Sequence, residues 1–469
     1  MTWLYLPITS QPRELDSKLL LAHFARAAGL RPVLGYKSSF ITAMPQLEPG
    51  IFLAHNARQK LEKLATVRRF GSAVAVLDEE ALVRQSDEIF WKKHDKGAFD
   101  HVDKILAWGK NDAQLWPNYG ISRLEDVAIV GNPRFDLLRP ELASFYASDI
   151  EQLHHRFGRY VLLNTNFPTV NNLTPQGGGV RMAKWAMDSE GQHLNDRFLD
   201  FKRKMFEEEL SLVAPLAKAI APLSLVVRPH PNEDHGPWQR AARGAPNVHV
   251  AFEGNVVPWL VGAEALVHNN CTTGIEAVAA GKPVLNFVPF ESEFINPLFQ
   301  VFGTDCSDVE GLAAAINTES QAHSGTNRKR LRAYVASVDG PLSSERIARL
   351  IASGSADLTP SSGPGRPRRV LAAAGIELKR QLRLLSYQVK SRGRDKRRFL
   401  ATHYPDTTLA SLDYEQLSYS KQQLELMMRQ FPPLDHAVLD ERLTRLASAL
   451  GIGTPCRTKK LRAGLVEVV

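Results

Sequence analysis

The chain has 469 residues, 44% hydrophobic and 23% charged, the proportions of a soluble globular protein with room for two or three domains. It contains no stretch of about 18 uncharged apolar residues, and its start, MTWLYLPITSQPRELD, lacks the basic head and apolar stretch of a signal peptide, so neither a membrane-spanning helix nor secretion is expected. The net charge is +8, yet residues 361–400 alone hold twelve Lys or Arg against Glu377 and Asp395; the remainder sums to −2, which argues against a broadly cationic nucleic-acid binder.

WLYLPI reads as a strand, and LDSKLLLAHFARAAG follows as a helix closing on Gly29. RPVLGY, GIFLAH, SAVAVLD, KILAWG and VAIVG are the next strands. Such near-continuous aliphatic runs suit strands covered on both faces, and their alternation with helices predicts a doubly wound parallel sheet. The pattern restarts at HRFGRYVLLNTNFPTVNN. It continues through a helical stretch over about residues 195–221 and the strands LSLVVRPHP, NVHVAFEG, ALVHNN and PVLNFVPF. The expected organisation is α/β: one Rossmann-like domain over residues 1–155, a second over 156–352, a Ser/Gly/Pro linker over 353–369 and a basic helical extension over 370–469. In that extension Leu371, Leu378, Leu382, Leu385 and Val389 share one helical face, with Lys379, Arg380, Arg383 and Lys390 mostly elsewhere. Ligands of open α/β sheets sit beyond the carboxyl ends of strands, so the cleft between two such domains is the expected site.

Three stretches carry candidate chemistry. In LVVRPHPNED, residues 225–234, an apolar strand ends on Arg228, and Pro229 and Pro231 stiffen the backbone around His230. An imidazole held there can donate to a phosphate oxygen or protonate a leaving phosphate; the alternative is a core histidine in a stiff turn, with Arg228 a structural pin. In ALVHNNCTTGIEAVAAG a strand runs through Asn270, Thr272 and Thr273 into a helix bearing Glu276. Free N–H groups, hydroxyls and a helix dipole suit an anion, and Glu276 suits a ribose hydroxyl; simple helix capping, with Thr273 and Glu276 as a box, explains the same residues. In VAVLDEEALV, Asp78, Glu79 and Glu80 end a strand of the first domain. One of them could act as general base or nucleophile, or all three could complement a helix N-terminus. Asn164 and Asn166, in LLNTNF, end the first strand of the second domain and line the cleft if the fold is right. The cysteines, Cys271, Cys306 and Cys456, lie too far apart in sequence for a zinc knuckle and suit a reducing compartment, so the expected location is cytoplasmic.

Together LDEEALV, WG at 108–109, GNPRFDLL, LLNTNF, RPHPNED, NVHVAFEGNVVPWL and NNCTTGIEAVAAGKPV resemble the bacterial surface carbohydrate biosynthesis protein family, which is similar to GT-B glycosyltransferases. The resemblance covers about residues 1–350, and RQFPPLD near residue 430 shares it. It implies a GT-B fold of two Rossmann-like doubly wound parallel-sheet domains, here with a helical C-terminal extension. The acidic triplet, the His-Pro strand end and the hydroxyl-rich turn are also similar to those of bacterial sialyltransferases, β-Kdo transferases and CDP-glycerol transferases. In that set the His-Pro histidine and the hydroxyl turn hold a cytidine nucleotide's phosphate. By this resemblance His230, Thr272 and Thr273 contact the donor phosphate, with Arg228, Pro231, Asn164, Asn166, Asn270 and Glu276 around it. An acid among Asp78, Glu79 and Glu80 then serves catalysis beside His230. Sialyltransferases place Gly directly after their paired acids; this chain has Ala81, so the resemblance does not single out one acid.

The expected activity is therefore transfer of an acidic sugar, Kdo or a nonulosonate, from a CMP-activated donor to a surface-glycan precursor such as lipopolysaccharide or capsule, with no metal or other cofactor. Transfer of glycerophosphate from CDP-glycerol, and a non-catalytic assembly role, are the alternatives. The expected partners are the nucleotide sugar, a lipid-linked or surface glycan acceptor and, through residues 361–400, the inner face of the cytoplasmic membrane.

Overall fold

The computed structural model describes the chain except residues 58–60, 83–90, 92–95, 120–126, 174–188, 319–323, 355–357, 390, 405–411, 413–415, 418–419 and 463. Six short aliphatic runs in its first 130 residues become parallel strands: β1 (Trp3–Ile8), β2 (Arg31–Tyr36), β3 (Gly50–Ala54), β4 (Ala73–Leu77), β5 (Lys104–Ala107) and β6 (Val127–Ile129). Every residue of β3 and β4 is buried, as continuous aliphatic runs require. The parallel order is β2-β1-β3-β4-β5-β6, so the sheet reverses direction between β1 and β3, and that reversal is where doubly wound sheets open a crevice.

Unit 2 is built on a second parallel sheet: β7 (Tyr160–Asn164), β8 (Ser224–Arg228), β9 (Val248–Val250), β10 (Leu266–His268), β11 (Val284–Phe287) and β12 (Thr304–Cys306), in the order β12-β11-β10-β7-β8-β9. Its reversal lies between β7 and β10, where Asn164 pairs in register with His268 on one side and Arg228 on the other. The helix Ser189–Ala219 presents Phe198, Phe201, Met205, Leu212, Val213 and Leu216 to this sheet's core, a stripe at three- and four-residue spacing.

The chain divides into two compact units. Unit 1 comprises Met1–Glu79, His94–Asp136 and Val335–Val469; unit 2 comprises Glu80–Lys93 and Leu137–Tyr334. Residues 370–469, read from sequence as a helical extension, thus belong to the first unit and end in two strands, β13 (Thr458–Arg462) and β14 (Leu465–Val468). They form an antiparallel hairpin, and β14 pairs antiparallel with the free edge of β2. A Cβ on Gly35 of β2 would lie 2.4 Å from the Leu465 side chain, so only glycine admits this pairing. Glu467 adds an ion pair with Arg31 at 2.8 Å.

GNPRFDLL ties the return of the chain into unit 1. Asp136 is fully buried and caps the helix Ser343–Ala352: its Oδ1 accepts from Ser343 N, and its Oδ2 from Ser344 N and Oγ, each at 2.8 Å. Gly131 has φ +87°, and a Cβ there would collide with the Ser337 and Ser343 hydroxyls. The capped helix buries Ile347, Ala348 and Ile351. Replacing Asp136 by Ala strands two buried N–H groups, and the expected loss is about 2 kcal/mol or more. Amide hydrogen exchange should report it as faster exchange over residues 343–352, with Asp136→Asn in between; unchanged protection in the Ala variant would show that the cap does not hold the helix.

Candidate functional site

In unit 2 one carboxylate shapes the carboxyl edge of the sheet. Glu233 is fully buried; its Oε1 accepts from Thr165 Oγ1 (2.7 Å), Phe167 N (2.8 Å) and His230 N (3.2 Å). Its Oε2 accepts from Trp238 Nε1 (3.0 Å) and Asn171 Nδ2 (3.4 Å). Burial raises the Glu233 carboxyl, and these bonds pull it back. RPHPNED and LLNTNF are thereby one assembly. Within it Asn232 N donates to His230 Nδ1 at 3.2 Å, which makes Nδ1 the acceptor and leaves the proton of the neutral ring on Nε2. His230 and Pro231 are half-buried.

Arg228 faces the other way. Its Nη2 donates to the Gly254 carbonyl at 2.9 Å, and its guanidinium lies 4.7 Å over the Phe252 ring and 5.7 Å from that of Trp259. Burial lowers it to about 10. Of its two sequence-based readings, this geometry is that of the structural pin.

The turn after β10 is tied to the same assembly, since Asn166 Nδ2 donates to the Asn270 carbonyl at 3.0 Å. Asn270 sits at φ +45° and pins the 294–296 segment, donating to Phe294 O and accepting from Asn296 N. Capping does not account for the threonines: Thr272 is the N-cap of the helix Thr273–Ala279 without a side-chain cap bond, and Thr273 Oγ1 donates to Cys271 Sγ at 3.0 Å. Both are half-buried, whereas Glu276 is buried. Gly274 is required by close packing, because a Cβ there would meet the His268 ring at 2.4 Å.

At the β7/β10 reversal the buried Asn164 amide has no hydrogen-bond partner among the described residues on either its oxygen or its nitrogen. Buried polar groups left so are rare and call for an account. A recess of about 10 Å³, room for one water, is lined by Asn269, Asn270, Asn286 and Phe299; it is too small for a nucleotide.

Two residues here escaped the sequence reading. Lys202 is buried, donates to the Asn166 carbonyl at 2.8 Å and lies 5.2 Å from the Phe167 ring centre, and burial lowers its pKa. Glu209 is fully buried with neither oxygen bonded among the described residues, and burial pushes it well above the carboxylate range. The available signal was their spacing, four and eleven residues after Phe198, on the apolar face of the long helix.

The acidic triplet after β4, at the boundary where unit 1 passes into unit 2, separates by environment. Glu79 is buried and salt-bridged by Lys18 at 3.1 Å, which is itself buried; Asn132 Nδ2 donates to it at 3.2 Å, and Arg134 lies 3.8 Å away and donates to its carbonyl. Asp78 is buried, with its carbonyl accepting from Trp108 Nε1 at 2.8 Å. Glu80 is exposed. His55, unmarked in the sequence reading, follows β3 beside β4; it is buried and held well below the usual imidazole range by burial, then by Lys37 and Arg13, while Glu79 and Asp78 pull the other way. Among the described residues no group of three His, Cys, Asp or Glu is arranged to hold a metal ion.

No protein-family model matches the chain, and no curated protein sequence matches it. Solved structures do. MnaA of S. aureus, solved with UDP, is 15% identical over 77% of this chain and 99% of its own, with a TM-score of 0.50. The wall teichoic acid polymerase TagF is 12% identical over 75% of this chain and 88% of its own, at 0.46. Anabaena HepE in complex with UDP-glucose is 12% identical over 75% of this chain and 100% of its own, at 0.42. The likeness is one of fold: two Rossmann-like units of the GT-B class.

Burial lowers His268 from 6.5 to about 4. The unfolded chain therefore binds a proton in that window which the folded ring refuses. Stability is insensitive to this group above pH 6.5 and falls as the pH drops towards 4, by up to about 3 kcal/mol. In His268→Asn the pH dependence of the denaturation midpoint between 6.5 and 4 should be shallower by close to one proton, the remainder including the contribution of His55. An unaltered slope would mean the ring is not held neutral.

Proposed function

We propose that the chain is a glycosyltransferase of cell-surface glycan assembly, with unit 2 binding a nucleotide-activated sugar. The observation that carries this reading is the β7/β10 edge. There an asparagine amide at the end of β7, without a partner among the described residues, stands where the loops bearing an imidazole with its neutral-ring proton on Nε2 and two half-buried threonines are tied together through Glu233 and the Asn166–Asn270 bond. When the bond between sugar and phosphate breaks, negative charge grows on the leaving phosphate. Donors already aimed at that charge lower the barrier without reorganising. In this reading His230 Nε2–H and the Thr272 hydroxyl are those donors, the Thr273 hydroxyl joins them by turning from Cys271 Sγ to the phosphate, and Glu276 takes a ribose hydroxyl.

The acceptor hydroxyl needs a base. Glu79 is held by Lys18 and Asn132, and the reading assigns the base to one of its neighbours, Asp78 or Glu80. The RPHPNED and NNCTTG motifs support the finer assignment, a CMP-linked acidic sugar of the Kdo or nonulosonate type given to a lipid-linked or surface glycan, with chemistry that runs without a metal.

A thermal-shift panel with CMP, CDP, UDP and GDP tests the donor. CMP at about one hundred times its Kd should stabilise the protein by about 2.7 kcal/mol, and a preference for UDP would overturn the CMP assignment. Turnover of CDP-glycerol in place of CMP-sugars would move the reaction to glycerophosphate transfer. With the donor in hand, His230→Ala should lose about 10²- to 10⁴-fold in kcat with little change in Tm, and one of Asp78→Asn and Glu80→Gln should show a similar loss. Glu79→Gln should instead lower Tm, because it leaves the Lys18 charge buried without its partner. Activity abolished by EDTA and restored by a divalent ion would remove metal-independence from the reading.

A further inference from the structure

The helix Arg366–Val389 is amphipathic in the reverse sense for a surface helix. One face meets unit 1: Arg369 donates to the Phe70 carbonyl at 3.1 Å and to that of Leu47, Ala372 packs on the core around Phe52 and Phe70, and Arg380 reaches the Leu412 carbonyl. The opposite face should be polar. It instead carries Leu371, Leu378, Leu382 and Leu385, which are 71%, 61%, 58% and 56% exposed. At 1.5 Å per residue the stripe runs for about 21 Å. Arg366, Arg368 and Lys379 are exposed along the same helix, and Arg394, Arg397 and Arg398 on the next one, Ser391–His403. The single acid of the longer helix, Glu377, is paired with Arg380 at 2.8 Å. Among the described residues no helix is long and apolar enough to cross a membrane.

We infer that this face is a docking surface for an anionic lipid bilayer, the helix lying in the plane of the interface with its leucines among the acyl chains and its cations at the headgroups. Charge decides the occupant. A second copy of the chain would bring two sets of cations together, and the seam a coiled coil needs through Leu371, Leu378, Leu382 and Leu385 is broken at Gly375. A bilayer rich in acidic lipid offers hydrocarbon and opposite charge at one surface.

The test is flotation of the full chain with vesicles of phosphatidylcholine alone or with a third phosphatidylglycerol, at low and high salt. Binding is expected only to the anionic vesicles and to weaken with salt. The exposed-face variant Leu378→Glu/Leu382→Glu should abolish it while leaving the circular dichroism and Tm unchanged. Arg366→Gln/Arg368→Gln/Lys379→Gln should weaken binding on the order of a hundredfold. Equal binding of the leucine variant, or no binding of the wild type to anionic vesicles, overturns the proposal. So does a wild-type dimer, seen by analytical ultracentrifugation, that the leucine variant splits.

Discussion

A carboxylate with no access to water holds the strand ends of unit 2 together. Taking Glu233 out of water is expensive, and the cost is met only because five donors from three neighbouring segments converge on its two oxygens. Those donors are Thr165, Phe167 and Asn171 in the loop beyond β7, His230 beyond β8 and Trp238 on the next short helix. None can move without leaving an acceptor unpaired in a low-dielectric interior. The position of His230 is thus set from beneath, by a residue that needs no contact with a ligand. The prolines on either side of the imidazole limit the backbone; Glu233 chooses which of the allowed conformations persists.

Unit 1 uses the same device for a different purpose. Glu79 and Lys18 are both buried, and Asn132 and Arg134 complete the cluster. A buried pair of this kind adds little net stability compared with hydrocarbon, yet removing one partner is severe. It fixes the β4 edge to the first helix and to the GNPRFD turn, and so fixes where Asp78 and His55 stand. In each unit a buried carboxylate organises the strand edge beside the candidate residues.

The strands of both sheets were readable because parallel strands buried on two faces are unbroken aliphatic runs, as in AVAVL and YVLLN. The strands that escaped are those without such runs. TDC has three residues, TKKLR carries three cations, and LVEV is four residues long at the mixed edge of the sheet. The polar residues split the same way. His230 and the threonines announce themselves by local spacing, whereas the role of Glu79 depends on Lys18, 61 positions upstream, and that of Asp136 on Ser343, 207 positions downstream. A single sequence contains both partners of such pairs and nothing that links them. Arg228 marks the boundary: its position at a strand end was legible, but its direction, towards the Gly254 carbonyl, was set by packing against Phe252 and Trp259.

The pairing of β14 with β2 also has a consequence for how the protein is made. Unit 2 draws its sheet from one continuous stretch, 160–306, and can close while synthesis continues. The first unit cannot. Its second strand emerges early from the ribosome, but the neighbour that covers its outer edge lies far downstream, with Leu465 opposite Gly35. Until β14 is made, that edge offers unpaired backbone groups to any other extended chain. The nascent edge therefore needs shielding over that interval, and a chain truncated ahead of β14 would carry an adhesive margin.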